Sequence, residues 1–236
     1  MADARRFTLP GGVAVHVSFT DRADGDLSIH EEPAALDTRR SAVAPTPWTW
    51  LEQVHGARVV GVESPGDGAG TAADASVTDR PGCVLSVQTA DCAPVLLFAP
   101  GPSGAVVAAA HAGWKGIEAG VLPAVVDRMR SLGAGAVSWT LGPCISAGEY
   151  EFSLGDLHRL EARFGKSVRS VTHSGTPALD VRAAVRRSLE AAGVTSEPVG
   201  RAPACTASST EYWSHRARAE VGRQAGVIWW ESGADG

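Results

Sequence analysis

Two histidines and one cysteine in this sequence stand in segments whose residue types suit metal binding. His55 lies in the string QVHG, Cys92 in TADC and His111 in HAGWKG. Each string follows or ends an apolar run and has glycine or proline nearby, so the chain turns there and presents polar side chains. Two imidazoles and one thiolate could hold a tetrahedral metal ion and leave a fourth position for water. This donor set favours zinc, with copper as a competitor.

The spacing of the three residues does not by itself identify a metal site. They lie 37 and 19 residues apart, which matches no compact zinc pattern. A cysteine such as Cys92, taken alone, is more often a small buried hydrophobe. The same residues also fit a hydrolase without metal, in which Cys92 is the nucleophile and His111 or His55 is the base.

Short apolar runs around these strings predict the strands of a sheet that is covered on its faces. Alternating apolar residues predict another strand near the N-terminus, and an apolar run predicts a closing strand near the C-terminus. The predicted strands cover residues 13–19, 84–89, 94–98, 105–110, 137–141 and 226–230.

Helices are predicted between and after these strands. Apolar residues recur at helical spacing from Ile117 to Leu132, and Pro123 predicts a kink or a late start. Ser153 and Asp180 have the side chains of N-caps and precede two further helical patterns. The sequence therefore predicts a mixed α/β (α+β) fold, formed as one domain over residues 1–236.

Composition and charge exclude several classes of function. The chain has 236 residues, 44% of them hydrophobic, which suits a globular protein with a substantial core. Its formal net charge of −5 argues against a nucleic-acid partner. No run approaches the roughly 18 apolar residues of a membrane span, and the N-terminus lacks the apolar core of a signal peptide. We therefore expect a cytoplasmic monomer whose four cysteines form no disulfides.

The motifs and their order resemble the laccase-domain family. The strings that carry the resemblance are QVHG, TADC with the proline and leucines after it, HAGWKG, and GPCI followed by YEF. Shorter matches occur, in the same order, at Ala73-Asp74-Ala75, Leu179-Asp180, Cys205-Thr206, Ser214-x-Arg216 and Gly222-Arg223-Gln224. Members of this family have been described as polyphenol oxidases and as purine nucleoside phosphorylases.

This resemblance implies a fold, a metal and a set of reactions. The implied fold is a layered sandwich of β-sheets flanked by helices, and the implied metal is one zinc ion held by His55, Cys92 and His111. The implied main reaction is phosphorolysis of adenosine, inosine, guanosine and 5′-methylthioadenosine, so that the partners are purine nucleosides and phosphate. Adenosine deamination is implied as a side activity. An oxidase activity towards phenols, with copper, is also attributed to the family.

Both nucleoside reactions need groups besides the metal ligands. Zinc deaminases pair the metal with a carboxylate, and Asp91 is nearer in sequence to a ligand than the alternatives Glu149 and Glu151. Trp114 could stack on a purine, since aromatic faces pack favourably on flat rings. Phosphorolysis needs cations or amides that hold phosphate by charge-assisted hydrogen bonds. The candidates for this role are Gln53, Lys115, Arg40, Arg216 and Arg223.

Two further functions compete with the nucleoside enzyme. A copper polyphenol oxidase of the multicopper type would need many histidines, whereas the chain has seven and only two lie in the motifs. A non-catalytic protein that keeps zinc for stability would have a closed site with four protein ligands. Three protein ligands plus water would favour catalysis.

Overall fold

The structure is a computed structural model that describes residues 2–232. Within these residues, no helix is both long enough and apolar enough to cross a membrane. The strands are β1 (Asp3–Thr8), β2 (Ala14–Phe19), β3 (Trp48–Thr49), β4 (Leu51–Glu52), β5 (Val59–Gly61), β6 (Thr71–Ala72), β7 (Ala75–Thr78), β8 (Val84–Thr89), β9 (Ala93–Gly101), β10 (Gly104–Ala112), β11 (Ser138–Leu141), β12 (Arg169–Val171), β13 (Pro177–Leu179) and β14 (Gln224–Glu231). The α-helices are α1 (Pro33–Val43), α2 (Trp114–Ala119), α3 (Val121–Ser131), α4 (Leu154–Phe164), α5 (Val181–Ala191) and α6 (His215–Arg218).

Two five-stranded sheets form the centre of the fold. One has the strand order β1-β2-β14-β8-β3, and the other has the order β11-β9-β10-β7-β5. Apolar side chains of β2, β8 and β14 pack between the sheets against those of β9 and β10. The outer face of the second sheet is covered by α3, α4 and α5, and that of the first by α1. This arrangement confirms the predicted sandwich of sheets flanked by helices.

All six predicted strands are present, and their ends shift by at most three residues. The largest shift is in β9, which continues beyond its apolar run. It does so because β9 and β10 form a hairpin in which Gly101 pairs with Gly104. Tertiary pairing of this kind extends a strand past the residues whose hydrophobicity predicts it.

The helical pattern over residues 117–132 is divided into α2 and α3 at Gly120. The φ angle of Gly120 is 94°, a left-handed conformation that glycine adopts without steric cost and that ends α2. Pro123 lies in the first turn of α3, where proline is tolerated. The break therefore lies three residues earlier than Pro123. Ser153 and Asp180 cap α4 and α5 through their side-chain oxygens, as predicted.

Strand pairing around β10 assembles the residues singled out in the sequence. β9 begins one residue after Cys92 and pairs with the end of β10, so Cys92 lies beside His111. β7 begins one residue after Asp74 and pairs with β10 from the other side. β5 pairs with β7 in parallel, and the turn that precedes β5 carries His55. The segments that carry His55, Cys92 and His111 are distant in sequence and thus meet at one end of the strands of the second sheet.

Candidate metal centre

His55, Cys92 and His111 form one cluster, in which one donor atom from each residue lies within 4.8 Å of the others. The Sγ atom of Cys92 is 3.8 Å from Nε2 of His55. His111 is buried, Cys92 is half-buried and His55 is exposed. The cluster therefore has one side set in the protein and one side open to solvent.

The donor set and its spacing fit a zinc-sized ion. Zinc–ligand bonds of about 2.0 to 2.3 Å place tetrahedral ligands about 3.3 to 3.8 Å apart. The separation of 3.8 Å between Cys92 Sγ and His55 Nε2 lies at the upper end of that range, and the other two pairs are no more than 4.8 Å apart. Two imidazole nitrogens and one thiolate leave a fourth position open, as catalytic zinc sites do.

Asp74 positions two of the three candidate ligands. Its Oδ1 atom lies 2.8 Å from Nδ1 of His111, and its carboxylate accepts the backbone N–H groups of Val54, His55 and Gly56 at 3.3, 2.8 and 2.6 Å. Because an ionised carboxylate only accepts, Nδ1 of His111 must donate, which leaves Nε2 for a metal. Burial alone would raise the pKa of the Asp74 carboxyl, but these hydrogen bonds outweigh it and lower the pKa.

The backbone around the cluster is shaped to bring the ligands together. His55 has a φ angle of 58°, which is rare for a residue with a side chain and marks a sharp turn. Gly113 lies directly against two of the ligands. A Cβ atom at this position would be 2.7 Å from Cδ2 of His55 and 3.1 Å from Sγ of Cys92. Position 113 therefore requires glycine if the cluster is to keep its geometry.

Electrostatics favour an ionised thiol in the cluster. Burial alone would raise the pKa of Cys92, but the neighbouring His111 and His55 outweigh it and lower the pKa to about 6. Burial alone would lower the pKa of His111, yet the Cys92 thiolate and the Asp74 carboxylate raise it to about 9. Without metal, these shifts favour a thiolate paired with an imidazolium near neutral pH. The thiolate is the form of cysteine that binds metals and attacks electrophiles.

A cavity of about 380 Å³ opens beside the cluster. Cationic and imidazole side chains line it together with apolar ones, and this mixture is typical of a small-molecule site. His30 and His215 belong to its lining, although the sequence gave no reason to select them. His30 lies outside the recognisable motif strings, and His215 is the unspecified middle residue of Ser214-x-Arg216, so only their positions in space indicate a role. The full lining is Ser28, Ile29, His30, Leu51, Gln53, His55, Gln88, Thr89, Ala90, Cys92, His111, His215 and Arg223.

Two of the predicted substrate contacts, Gln53 and Arg223, line this cavity. The side-chain amide of Gln53 donates to the carbonyl of Gln88 at 2.7 Å and accepts its N–H at 2.8 Å. Gln53 therefore joins its own segment to β8. One nitrogen of Arg223 donates to the carbonyls of Val221 and Gly222 at 2.8 and 2.9 Å, so its guanidinium is held in place.

Three other predicted substrate contacts, Trp114, Lys115 and Arg40, lie outside the lining of this cavity. The ring of Trp114 makes an edge contact with Phe152, with centroids 5.2 Å apart. Lys115 is exposed, and its ammonium lies 5.6 Å from the centre of the Trp114 ring. Arg40 is only 7% exposed, and burial lowers its pKa. The structure therefore does not bring these three side chains to the cavity, and their contacts with purine and phosphate stay predictions.

Asp91 and Arg216 lie next to the cluster but make contacts that the sequence did not predict. The two carboxylate oxygens of Asp91 accept the hydroxyl of Thr206 and the backbone N–H of Arg216, each at 2.6 Å. The guanidinium of Arg216 donates to the carbonyl of Glu151 at 3.3 Å and lies 5.0 Å from the centre of the Tyr150 ring. Both oxygens of the predicted general acid or base are thus occupied in holding the C-terminal segment.

A family model and the sequences of known proteins place this chain in the same family. Residues 15–231 match the family model described as multi-copper polyphenol oxidoreductase laccase. A purine nucleoside phosphorylase of Streptomyces coelicolor is 37% identical over 234 residues, which cover 91% of this chain and 95% of that protein. A purine nucleoside phosphorylase of Mycobacterium tuberculosis is 37% identical over 211 residues, which cover 86% of this chain and 82% of that protein.

Solved structures agree in fold over nearly the whole chain. A protein of Neisseria meningitidis superposes with a TM-score of 0.78 at 27% identity and covers 98% of this chain and 99% of its own. The protein YlmD from Geobacillus stearothermophilus gives a TM-score of 0.77 at 25% identity, with 94% of each chain covered.

Proposed function

The chain belongs to the multi-copper polyphenol oxidoreductase laccase family, and from that premise we propose that it is a purine nucleoside phosphorylase with one zinc ion in the His55–Cys92–His111 cluster. The observation that carries the proposal is the cavity of about 380 Å³ that these three residues line together with Arg223. Curated relatives named purine nucleoside phosphorylase support the reaction class. The proposed substrates are adenosine, inosine, guanosine and 5′-methylthioadenosine.

The cavity offers different surfaces for the two substrates. Arg223 and the imidazoles of His30 and His215 provide donors that suit phosphate. Ile29 and Leu51 provide apolar surface that suits the flat purine. In the reaction, a phosphate oxygen forms a bond to C1′ of the ribose as the bond from C1′ to the purine nitrogen breaks. The purine leaves with the bonding pair and takes up a proton.

Zinc bound by this cluster would supply a Lewis acid that polarises an oxygen of substrate or phosphate. The chain's own residues hold that position fixed: Asp74 orients His111, and Gly113 leaves room for His55 and Cys92. The proposal includes adenosine deamination only as a side activity. Asp74, whose carboxylate contacts a ligand directly, already accepts three backbone N–H groups, so it is not free to shuttle protons.

Copper in place of zinc remains the alternative metal, since thiolate and imidazole bind both. Among residues 2–232, this cluster is the single group of three or more histidine, cysteine or carboxylate residues with metal-binding spacing. One mononuclear site favours zinc chemistry over multicopper oxidation. We further propose that the protein acts as a monomer, because His55, Cys92 and His111 come within 4.8 Å of one another without a residue from a second copy.

The test is to purify the protein without a metal-binding tag, measure its metal content and assay inosine and adenosine with and without phosphate. We expect about one zinc per chain, and release of free base that requires phosphate. Cys92→Ala should lose both metal and turnover. Cys83→Ala, which removes a buried thiol from the other core, should retain both. A protein that binds zinc but shows no turnover would overturn the proposal that it is an enzyme. A protein that oxidises phenols in a copper-dependent reaction would instead be a polyphenol oxidase.

A metal-free cysteine hydrolase is the second candidate, and the thiolate–imidazolium pair of Cys92 and His111 favours it. A nucleophilic thiolate beside an imidazolium that can protonate the leaving group is the arrangement that such hydrolases use. Metal removal separates the two candidates. A chelator should abolish turnover by the zinc enzyme, whereas it should leave a cysteine hydrolase active and sensitive to alkylation of Cys92.

A further inference from the structure

Cys144 and Cys205 lie side by side on two segments whose next residues, Ile145 and Thr206, both bond to Asp91. They form an isolated parallel β-bridge, and both are free thiols in the structure. Paired strand residues lie about 4.8 Å apart, within the range of about 4.4 to 6.8 Å that a disulfide requires between Cα atoms. Backbone hydrogen bonds hold the pairing, from Cys144 N–H to Ala204 and from Thr206 N–H to Cys144, at 3.2 and 3.3 Å.

We propose that Cys144 and Cys205 are a thiol–disulfide exchange site, which forms a reversible intrachain disulfide with a small-molecule disulfide as the oxidant. The two thiols differ in the way that such a reaction needs. Cys205 is half-buried and reachable from solvent, whereas Cys144 is fully buried. An external disulfide can thus approach only Cys205, and Cys144 is placed to resolve the product.

The surroundings of Cys205 favour its role as the attacking group. The Sγ atom of Cys205 accepts the backbone N–H of Ser146 at 3.3 Å. Burial alone would raise the pKa of this thiol, but hydrogen bonds from Ser146 and Ser208 outweigh it and lower the pKa. A thiol with a lowered pKa has a larger fraction of thiolate, which is the reactive form.

Arg182 joins the two segments and supports Cys144. One of its terminal nitrogens donates to the carbonyls of Cys144 and Ala204, each at 3.1 Å. Burial raises the pKa of the Cys144 thiol to about 11, and Arg182 opposes this rise. The nearby guanidinium therefore reduces, without cancelling, the free-energy cost of forming the Cys144 thiolate.

The exchange balances in two steps. The Cys205 thiolate attacks one sulfur of the external disulfide, which forms a mixed disulfide and releases the first small thiolate. Cys144 then attacks the Cys205 sulfur, the bond to the small molecule breaks, and the second small thiolate leaves with the proton from Cys144. The two protein thiols are oxidised, and the external disulfide is reduced to two thiols.

The test uses the metal-loaded protein and glutathione disulfide, followed by alkylation in denaturant and intact-mass and peptide analysis. We expect two of the four thiols to be lost, a mass decrease of two hydrogens, and a peptide linking Cys144 to Cys205. Cys144→Ser should stop at a mixed disulfide on Cys205, and Cys205→Ser should react at neither position. Cys83→Ser, a matched control outside the pair, should still form the crosslink.

Several outcomes would overturn the proposal. A crosslink that includes Cys92 or Cys83 would do so, and so would a wild-type protein that accumulates the mixed disulfide without closing it. Thermal melting and metal content of each serine variant show whether it is folded, so that a missing crosslink is not confused with unfolding. A melting temperature that rises on oxidation and returns with a reducing thiol is expected, because a crosslink restricts the unfolded chain.

Discussion

Two buried aspartates flank the metal centre, and their carboxylates act on different parts of the chain. Asp74 is fully buried and binds the His111 ring and the turn that carries His55. Asp91 is 8% exposed and directly precedes Cys92, yet its carboxylate binds Thr206 and Arg216. Proximity in sequence to a ligand therefore does not tell which carboxylate supports that ligand. The direction of the side chain, set by strand pairing, decides it.

The largest effect in this comparison is expected for Asp74. Asp74→Ala leaves three backbone N–H groups and the His111 ring without their acceptor, and removal of such a partner weakens metal binding about 10- to 100-fold. The loss of these four hydrogen bonds to a buried carboxylate should also lower the free energy of unfolding by about 3 kcal/mol. Metal titration and denaturant unfolding measure the two effects. Asp127→Asn, at an exposed carboxylate, is the control. If Asp74→Ala bound zinc as tightly as the wild type, the difference between Asp74 and Asp91 would be contradicted.

A smaller effect, on stability rather than on metal, is expected for Asp91. Asp91→Asn keeps the shape of the side chain and tolerates the positive φ angle of 94°, but it weakens the bonds to Thr206 and Arg216. We expect a loss of about 1 kcal/mol in unfolding free energy with full metal content. If Asp91 were instead the general acid or base predicted from the sequence, turnover would fall by about 100-fold or more in a stable, metal-loaded protein.

Gly113→Ala sharpens the comparison by moving the ligands without touching either aspartate. The added methyl group would collide with His55 and Cys92, so metal affinity should fall by about 10-fold, as for other disturbances of ligand geometry. Unfolding of the metal-free protein should change little. Gly155→Ala, where a Cβ meets nothing within 4 Å, is the matched control in both measurements. Equal zinc affinity in the two variants would show that the site tolerates displaced ligands.

The smallest effect is expected at Glu220, which holds the same C-terminal segment as Asp91. Glu220 accepts the N–H of Ser214 at 2.8 Å and pairs with Arg22 and Arg218. Burial alone would raise its pKa, but these partners outweigh it and lower the pKa to about 2. The stabilisation is therefore complete above the ordinary carboxyl range and is lost as the pH falls towards 2. Glu220→Gln should lower the free energy of unfolding at pH 7 by about 0.5 kcal/mol, and this difference should vanish in acid.

Much of the fold could be predicted because it depends on local patterns. The apolar run of β8 gives its bounds directly, and the caps Ser153 and Asp180 mark the starts of α4 and α5. The break at Gly120 was harder to predict because one glycine in an apolar pattern has no obligatory conformation. It adopts a positive φ here, where its N–H closes the end of α2 by donating to the carbonyls of Gly116 and Ile117.

The ligand triad could be found from the sequence only with the help of a family resemblance, whereas the cavity could not be found at all. His30 and His215 reach it from segments far apart in the chain, and no local signal sets them apart from other surface histidines. Arg40 is the opposite case, a predicted phosphate contact that lies outside the cavity lining. Its charge suggested a phosphate contact, but its guanidinium lies near the rings of Trp48 and Trp50. Where a side chain ends up depends on long-range packing that spacing does not encode.

The left-handed turn at His55 has a consequence for laboratory evolution of this protein. A residue with a side chain in that conformation is about 1 kcal/mol less favourable than glycine. A library selected only for survival of heating should therefore enrich glycine or asparagine at position 55, whereas a library selected for turnover should keep histidine. Selection for heat resistance and selection for catalysis would then favour different residues at position 55.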